Sequence, residues 1–237
     1  MKSYLQLLLV ACIMCGAQAI MGQNIRGNGN VVEEARELSA FHGISVGGAY
    51  DVYVKKGSRY AVLIKADENI IPVVETKVKD QVLHIRNSKG INKAKELSVY
   101  ITTPDLTFLQ ASGASDVEVL DVYEAETFKV VSSGASDLSF GVNAYKLDVT
   151  VSGSSDLKVS GNAKHLALSV SGSGDFHGKN LTASEGKVRV SGSGDAHVHV
   201  TEQIEASVSG SGDVYCVGNP RVSGISTSGS GDIHFND

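Results

Sequence analysis

A five-residue pattern, Ser-Gly-x-x-Asp, recurs seven times between Ser112 and the end of this 237-residue chain. Its copies begin at Ser112, Ser133, Ser152, Ser171, Ser191, Ser209 and Ser228 and close at Asp116, Asp137, Asp156, Asp175, Asp195, Asp213 and Asp232. Successive aspartates are 21, 19, 19, 20, 18 and 19 residues apart. Self-similarity at a nearly constant period marks a repeat architecture in which each copy is one structural unit stacked on its neighbours.

Aligning the copies on their aspartates turns the period into geometry. One position after the Asp stand Val117, Leu138, Leu157, Phe176, Ala196, Val214 and Ile233, all apolar. Seven positions before it stand Leu109, Val130, Val149, Leu168, Val188, Ala206 and Ile225, again all apolar. Two positions after it the row is mostly polar: Glu118, Ser139, Lys158, His177, His197, Tyr215 and His234. Alternation with period two means strands with one face inward and one outward, and two such strands flank each Ser-Gly corner. A unit of this length completes one turn of a coil, and stacked coils place like residues about 4.8 Å apart. This predicts an all-β, parallel β-helix with coils of about 19 residues. A sandwich of hairpins is the competing arrangement, but hairpins do not require the same residues at every corner, whereas stacking does.

The corner residues are structural candidates. Gly113, Gly134, Gly153, Gly172, Gly192, Gly210 and Gly229 supply positive φ or let one coil approach the next. The Ser and Asp side chains take up backbone N–H groups left free at the bend, each Asp serving its own corner. Upstream, residues 41–108 carry alternating segments such as Ile44-x-Val46, Val52-x-Val54, Val62-x-Ile64 and Val99-x-Ile101, read as irregular coils preceding the regular ones over 109–237. Residues 20–40 are a polar lead-in with a weak helical or extended tendency, and residues 87–96 read as a loop or a single helical turn.

Residues 1–19 have the form of a signal peptide: Lys2, an apolar run over 7–16 too short for a stable membrane span, and Ala17-Gln18-Ala19 as the cleavage site. An alternative takes Leu9-Val10-Ala11-Cys12 as a lipobox, with a lipid on Cys12. Cleavage after Ala19 leaves Cys216 as the one thiol, so no intramolecular disulfide forms, and the mature chain has no transmembrane segment.

The net charge of −5 excludes nucleic-acid binding through bulk charge. The corners resemble calcium-binding repeats superficially, but those recur every nine residues, and here one Asp falls in each coil. No cofactor, metal or catalytic set is expected, because every corner Asp has copies above and below it, whereas catalysis needs an unrepeated constellation. Lys89, Lys93 and Lys95 form the least repetitive basic stretch, read as a solvated loop with anionic-glycan contact as the alternative. His177, His197 and His234 share the outward row, but Tyr215 interrupts them and His199 stands two positions beyond, so they make no secure metal set.

Together these residues carry a resemblance. Phe41-x-x-Ile44, Val46-x-Gly48, Asp51-Val52-x-Val54, Leu97-x-Val99-x-Ile101-x-x-Pro104-x-Leu106 and the repeated corners resemble the putative auto-transporter adhesin, head GIN domain family, found largely in Bacteroidetes, across roughly residues 31–237. The resemblance implies a single-stranded right-handed β-helix, exported and periplasmic, outer-membrane-associated or on the cell surface. It brings no catalytic residues. No membrane-barrel region follows within the chain, so export by a plain signal peptide is expected. The reading is a non-enzymatic adhesin-like or envelope scaffold module, with a cell-surface protein or glycan as partner and a homo-oligomer through an open coil end as a further expectation. The alternative is a polysaccharide-binding or polysaccharide-processing protein.

Overall fold

The structure, a computed structural model, describes residues 24–236. The expected signal segment and Cys12 lie outside them. Five long strand traces, Asp116–Ser132, Asp137–Gly153, Leu157–Gly172, Phe176–Gly192 and Ala196–Gly210, run in parallel, each hydrogen-bonded to the next. The register is one period: Val149 pairs with Leu168, Leu168 with Val188, and Val188 with Ala206. The chain is therefore a parallel β-solenoid with coils of about 19 residues, as the spacing predicts. The two apolar rows that bracket the corner face the interior and are buried from the first coil to Val214; in the last strands Ile233 is half-buried and Ile225 exposed, and Phe235, two positions beyond Ile233, is exposed as well. Strand alternation thus puts Val, Leu and Phe in one continuous core, the dominant favourable term in folding such a coil.

The stack holds an eighth corner. Gly48 pairs with Gly113, and Asp51, Val52 and Val54 pair with Asp116, Val117 and Val119. Ser45-Val46-Gly47-Gly48-Ala49-Tyr50-Asp51 is thus a diverged copy, separated from the next by an insertion. Part of that insertion winds into one more coil: Val82–Asn87 lies parallel on Gly43–Gly48, and Leu97–Thr103 lies parallel on Asp51–Lys56. The rest reverses direction. Val74–Lys79 pairs antiparallel with Val82–Asn87, Ala61–Asp67 with Leu97–Thr103, and Val31–Glu37 with Ala61–Asp67. These antiparallel strands cover the edges that the first coil would otherwise expose.

The lead-in takes the extended of its two tendencies, as strands Ile25–Arg26 and Val31–Glu37, and one expectation changes: within residues 87–96 the segment Ile91–Lys93 is not a loop or helical turn but a strand, paired with Ile25–Arg26. Asp67 holds these pieces together. Its side chain is fully buried and its carboxylate accepts from the backbone N–H groups of Gly29 and of Lys95, the latter at 2.7 Å. Burial alone raises a carboxyl pKa; the N–H donors of Lys95, Gly29 and Glu96 outweigh it and hold Asp67 below its ordinary value.

Candidate binding face

The corners stack as ladders. Gly113, Gly134, Gly153, Gly172, Gly192, Gly210 and Gly229 all have φ between +79° and +138°, and a Cβ on any of them would lie 2.3–2.4 Å from the carbonyl oxygen of the glycine one coil before. Backbone conformation and coil spacing both select glycine. The carboxylates behave differently from the expectation that each serves its own corner. Asp137, Asp156, Asp175, Asp195 and Asp213 each accept from the backbone N–H of the aspartate in the following coil, at 3.4, 3.0, 2.7, 2.8 and 2.8 Å. The stacking of coils sets this geometry: the next corner's N–H lies over the carboxylate, so the bond runs along the coil axis. Asp232 donates the last bond of the series, and Asp116 instead donates its N–H to the Tyr50 carbonyl.

The residue before the Asp changes along the stack. In Ser115, Ser136 and Ser155 the side chain is buried and its hydroxyl accepts from the preceding coil, Ser136 Oγ from Ser115 N and Ser155 Oγ from Ser136 N. From Gly174 onward glycine takes the position, and Gly194, Gly212 and Gly231 send their N–H groups to a carbonyl one coil back. Serine hydroxyls thus take up the N–H groups of Tyr50, Ser115 and Ser136, and carbonyls take up those of Gly194, Gly212 and Gly231.

Beside the corners, the outward row two positions beyond the Asp becomes a stack of rings. His177 and His197 lie 5.8 Å apart, His197 and Tyr215 4.7 Å, and Tyr215 and His234 4.9 Å, with interplanar angles of 13–17°. Tyr53 and Tyr100 continue the row at the other end, 5.2 Å apart. The coil pitch forces this parallel stacking. Tyr215 Oη donates to Asp213 Oδ2 at 3.0 Å, while His197 Nδ1 is buried and has no hydrogen-bond partner. Burial, then the neighbouring Lys179 and His177, lowers the His197 pKa against the opposing pull of Asp195 and Asp175.

Between the two ring stacks the row holds Glu118, Ser139 and Lys158, and the surface there is concave. The unequal intervals explain the shape. The register jumps between Glu118 and Val122, so Leu120 and Asp121 are extra relative to the next coil and bulge outward. A second jump falls beyond His177, where Lys179 is extra relative to the preceding coil. The two coils between these bulges show only Ser139, Gly141, Lys158 and Ser160 outward, leaving a groove of about 550 Å³. Leu120 and Val122 form one wall, 56% and 48% exposed, and Asp121 is fixed by accepting from Lys56 N at 2.7 Å. Lys179, Asn180 and His177 form the other. The groove carries no sequence signal beyond the intervals themselves.

The basic stretch Lys89, Lys93, Lys95 lies away from this face: Lys95 N binds Asp67, and Lys95 Nζ reaches the Gly29 carbonyl at 3.3 Å, closing the N-terminal end. Among the described residues no three His, Cys, Asp or Glu side chains are grouped to hold a metal, and no helix is long and apolar enough to cross a membrane.

No curated protein matches the chain. A crystal structure of a protein described as a putative adhesin from Bacteroides fragilis NCTC 9343 is similar at 25% identity and TM-score 0.85, over 90% of this chain and 100% of that one. Two proteins from Parabacteroides distasonis ATCC 8503 share the fold: one described as a putative adhesin, at 22% identity, TM-score 0.75, over 90% of this chain and 100% of that one; the other as a putative lipid binding protein, at 19% identity, TM-score 0.76, over 91% of this chain and 100% of that one. The model of the family described as "Putative auto-transporter adhesin, head GIN domain" matches residues 40–220, and the chain belongs to that family.

Proposed function

We propose that the protein is an exported, non-enzymatic, adhesin-like module of the cell envelope whose lateral face contacts a cell-surface protein or glycan. The observation that carries the reading is the groove between the two bulges, set beside the ring stack on an otherwise regular coil wall. A solenoid presents rows of side chains at fixed pitch on a rigid surface, the geometry that suits an extended partner. The adhesin-like description of the Bacteroides fragilis relative supports the role, and the fold alone does not establish it. The non-enzymatic part draws on the corners: their carboxylates are engaged by backbone N–H groups and repeat from coil to coil, so they serve the architecture.

The test is a glycan array and a panel of surface proteins probed with the purified protein, run beside cleavage assays on the same polysaccharides. Saturable binding without product release is expected. Release of new reducing ends, lost on a single substitution in the groove, would replace this reading with a polysaccharide-processing one.

A further inference from the structure

The groove has a polarity that specifies its ligand. Lys158 stands on its floor and Lys179 on its wall, and neither ammonium has a carboxylate within 4 Å among the described residues. His177 lines the same end. The opposite end carries Leu120 and Val122 with Asp121 between them, and the floor joining the ends offers the hydroxyls of Ser139 and Ser160. Gly141 keeps that floor open: a Cβ there would meet Val122 Cγ2 at 2.9 Å and Ser160 Oγ at 3.4 Å.

We propose that this groove binds a short stretch of anionic saccharide, with its acidic group on Lys158 and Lys179, its hydroxyls on Ser139, Ser160 and Asp121, and an apolar ring face on Leu120 and Val122. The inference rests on the contact role proposed above and names the class of ligand. The bulges lie three coils apart, about 14 Å at β spacing, so the groove is long enough for more than one sugar ring. On the floor between the bulges Ser139–Gly141 and Lys158–Ser160 are paired with each other in the parallel ladder, so a ligand lying there is read by side chains and not as an added peptide strand. Outward hydroxyl, amide and carboxylate groups match a hydroxyl-rich ligand. The lysines then supply the charge-assisted bonds that set the preference for an acid over its neutral analogue.

The test uses isothermal titration of the purified protein with a galacturonate trisaccharide, a sulfated galactose trisaccharide, the neutral galactose trisaccharide and an oligoglutamate peptide. One or both anionic saccharides bind at least about ten-fold more tightly than the neutral one, corresponding to one charge-assisted hydrogen bond or more, and the stronger of the two identifies the acidic group. Affinity falls with added salt. Lys158→Gln with Lys179→Gln removes about ten-fold or more, and Ser160→Tyr, which fills the floor without touching charge, abolishes binding while leaving the melting temperature near wild type. Equal binding of neutral and acidic saccharides, tighter binding of oligoglutamate, an unaffected double variant, or no binding of either acid overturns the inference. The contact role is judged separately: it stands if the same preparation binds a neutral glycan or a protein of the panel, and falls if it cleaves polymer.

Discussion

The backbone N–H of Asp195 donates to the Asp175 carboxylate at 2.7 Å, joining one coil to the next along the axis of the solenoid. Asp175 in turn donates its own N–H to Asp156 at 3.0 Å. Changing Asp175 to Asn keeps an oxygen acceptor and loses only charge assistance, whereas Ala leaves the Asp195 N–H without its partner. Asp175→Ala is expected to cost about 1 kcal/mol, and Asp175→Asn less. Thermal melts of both variants, with calcium, magnesium or chelator, check the assignment. A calcium-specific rise in the wild-type melting temperature that vanishes in Asp175→Asn would show that the ladder holds metal.

Glycine in the corner ladder is required, and Gly224 offers a contrast within the same solenoid. At Gly172, φ is +101° and a Cβ would lie 2.4 Å from the Gly153 carbonyl oxygen, so Gly172→Ala combines backbone strain with a backbone clash. A loss of about 3 kcal/mol or more is expected. Gly224 has no positive φ, and its Cβ would meet only Glu205 Cγ at 3.6 Å. Gly224→Ala should raise stability by about 0.5 kcal/mol through the unfolded chain. Denaturant titration of the pair decides it: similar effects at both sites would mean that coil spacing does not select glycine.

The seven regular corners are legible in the sequence because a stacked coil repeats its chemistry at the same position in every turn. The eighth is obscured for two physical reasons. An insertion separates Asp51 from Asp116, and Tyr50 fills the slot that Ser115 and Ser136 occupy later, its phenol reaching Asn87. The groove was half visible. The long first and fourth intervals reveal extra residues, but the spacing alone does not say that Leu120 and Lys179 bulge outward. Nor does it say that the Asp carboxylate serves the next corner, since both corners have identical residues. Asp67 gave no signal, because its donors, Gly29 and Lys95, are distant in sequence.

That clamp is open to direct test. Removing the Asp67 carboxylate leaves the Gly29 and Lys95 N–H groups without their acceptor in a buried site, so Asp67→Ala is expected to cost about 2 kcal/mol. The loss should fall on the N-terminal end. Hydrogen exchange should quicken in Val31–Glu37 and Ile91–Lys93 while the Leu157–Gly172 strand keeps its protection. Uniform loosening would show that Asp67 does not act as a local clamp.

The ring stack predicts a pH dependence. His197 has a folded pKa below its ordinary value of 6.5, first through burial and then through Lys179 and His177. The unfolded chain therefore binds more protons just below that value, and stability falls as the pH drops through it. Asp213, held low by the Asp232 N–H and the Tyr215 hydroxyl, keeps its contribution until the pH falls below its ordinary value of 3.8, outside this window. The melting temperature should decline between neutral and mildly acid pH more steeply in wild type than in His197→Tyr, which keeps a ring in the row. Parallel declines in the two proteins would assign the effect to other groups.

Cys216 tests the inward register near the end of the stack. It pairs with Val198 on one side and Phe235 on the other, its side chain is buried, and burial pushes its thiol up to about 11. A thiol in that state is unreactive at neutral pH. Its role is to fill space between two apolar neighbours, so Cys216→Val should be nearly neutral, within about 1 kcal/mol. Cys216→Ser places a hydroxyl in the same apolar row and should cost about 1–3 kcal/mol. Native protein should react with a bulky thiol reagent only on the timescale of global unfolding. Fast labelling under native conditions would show that the coil around Cys216 opens independently of the rest, and that the packing of this row ends before the strand Val214–Val217.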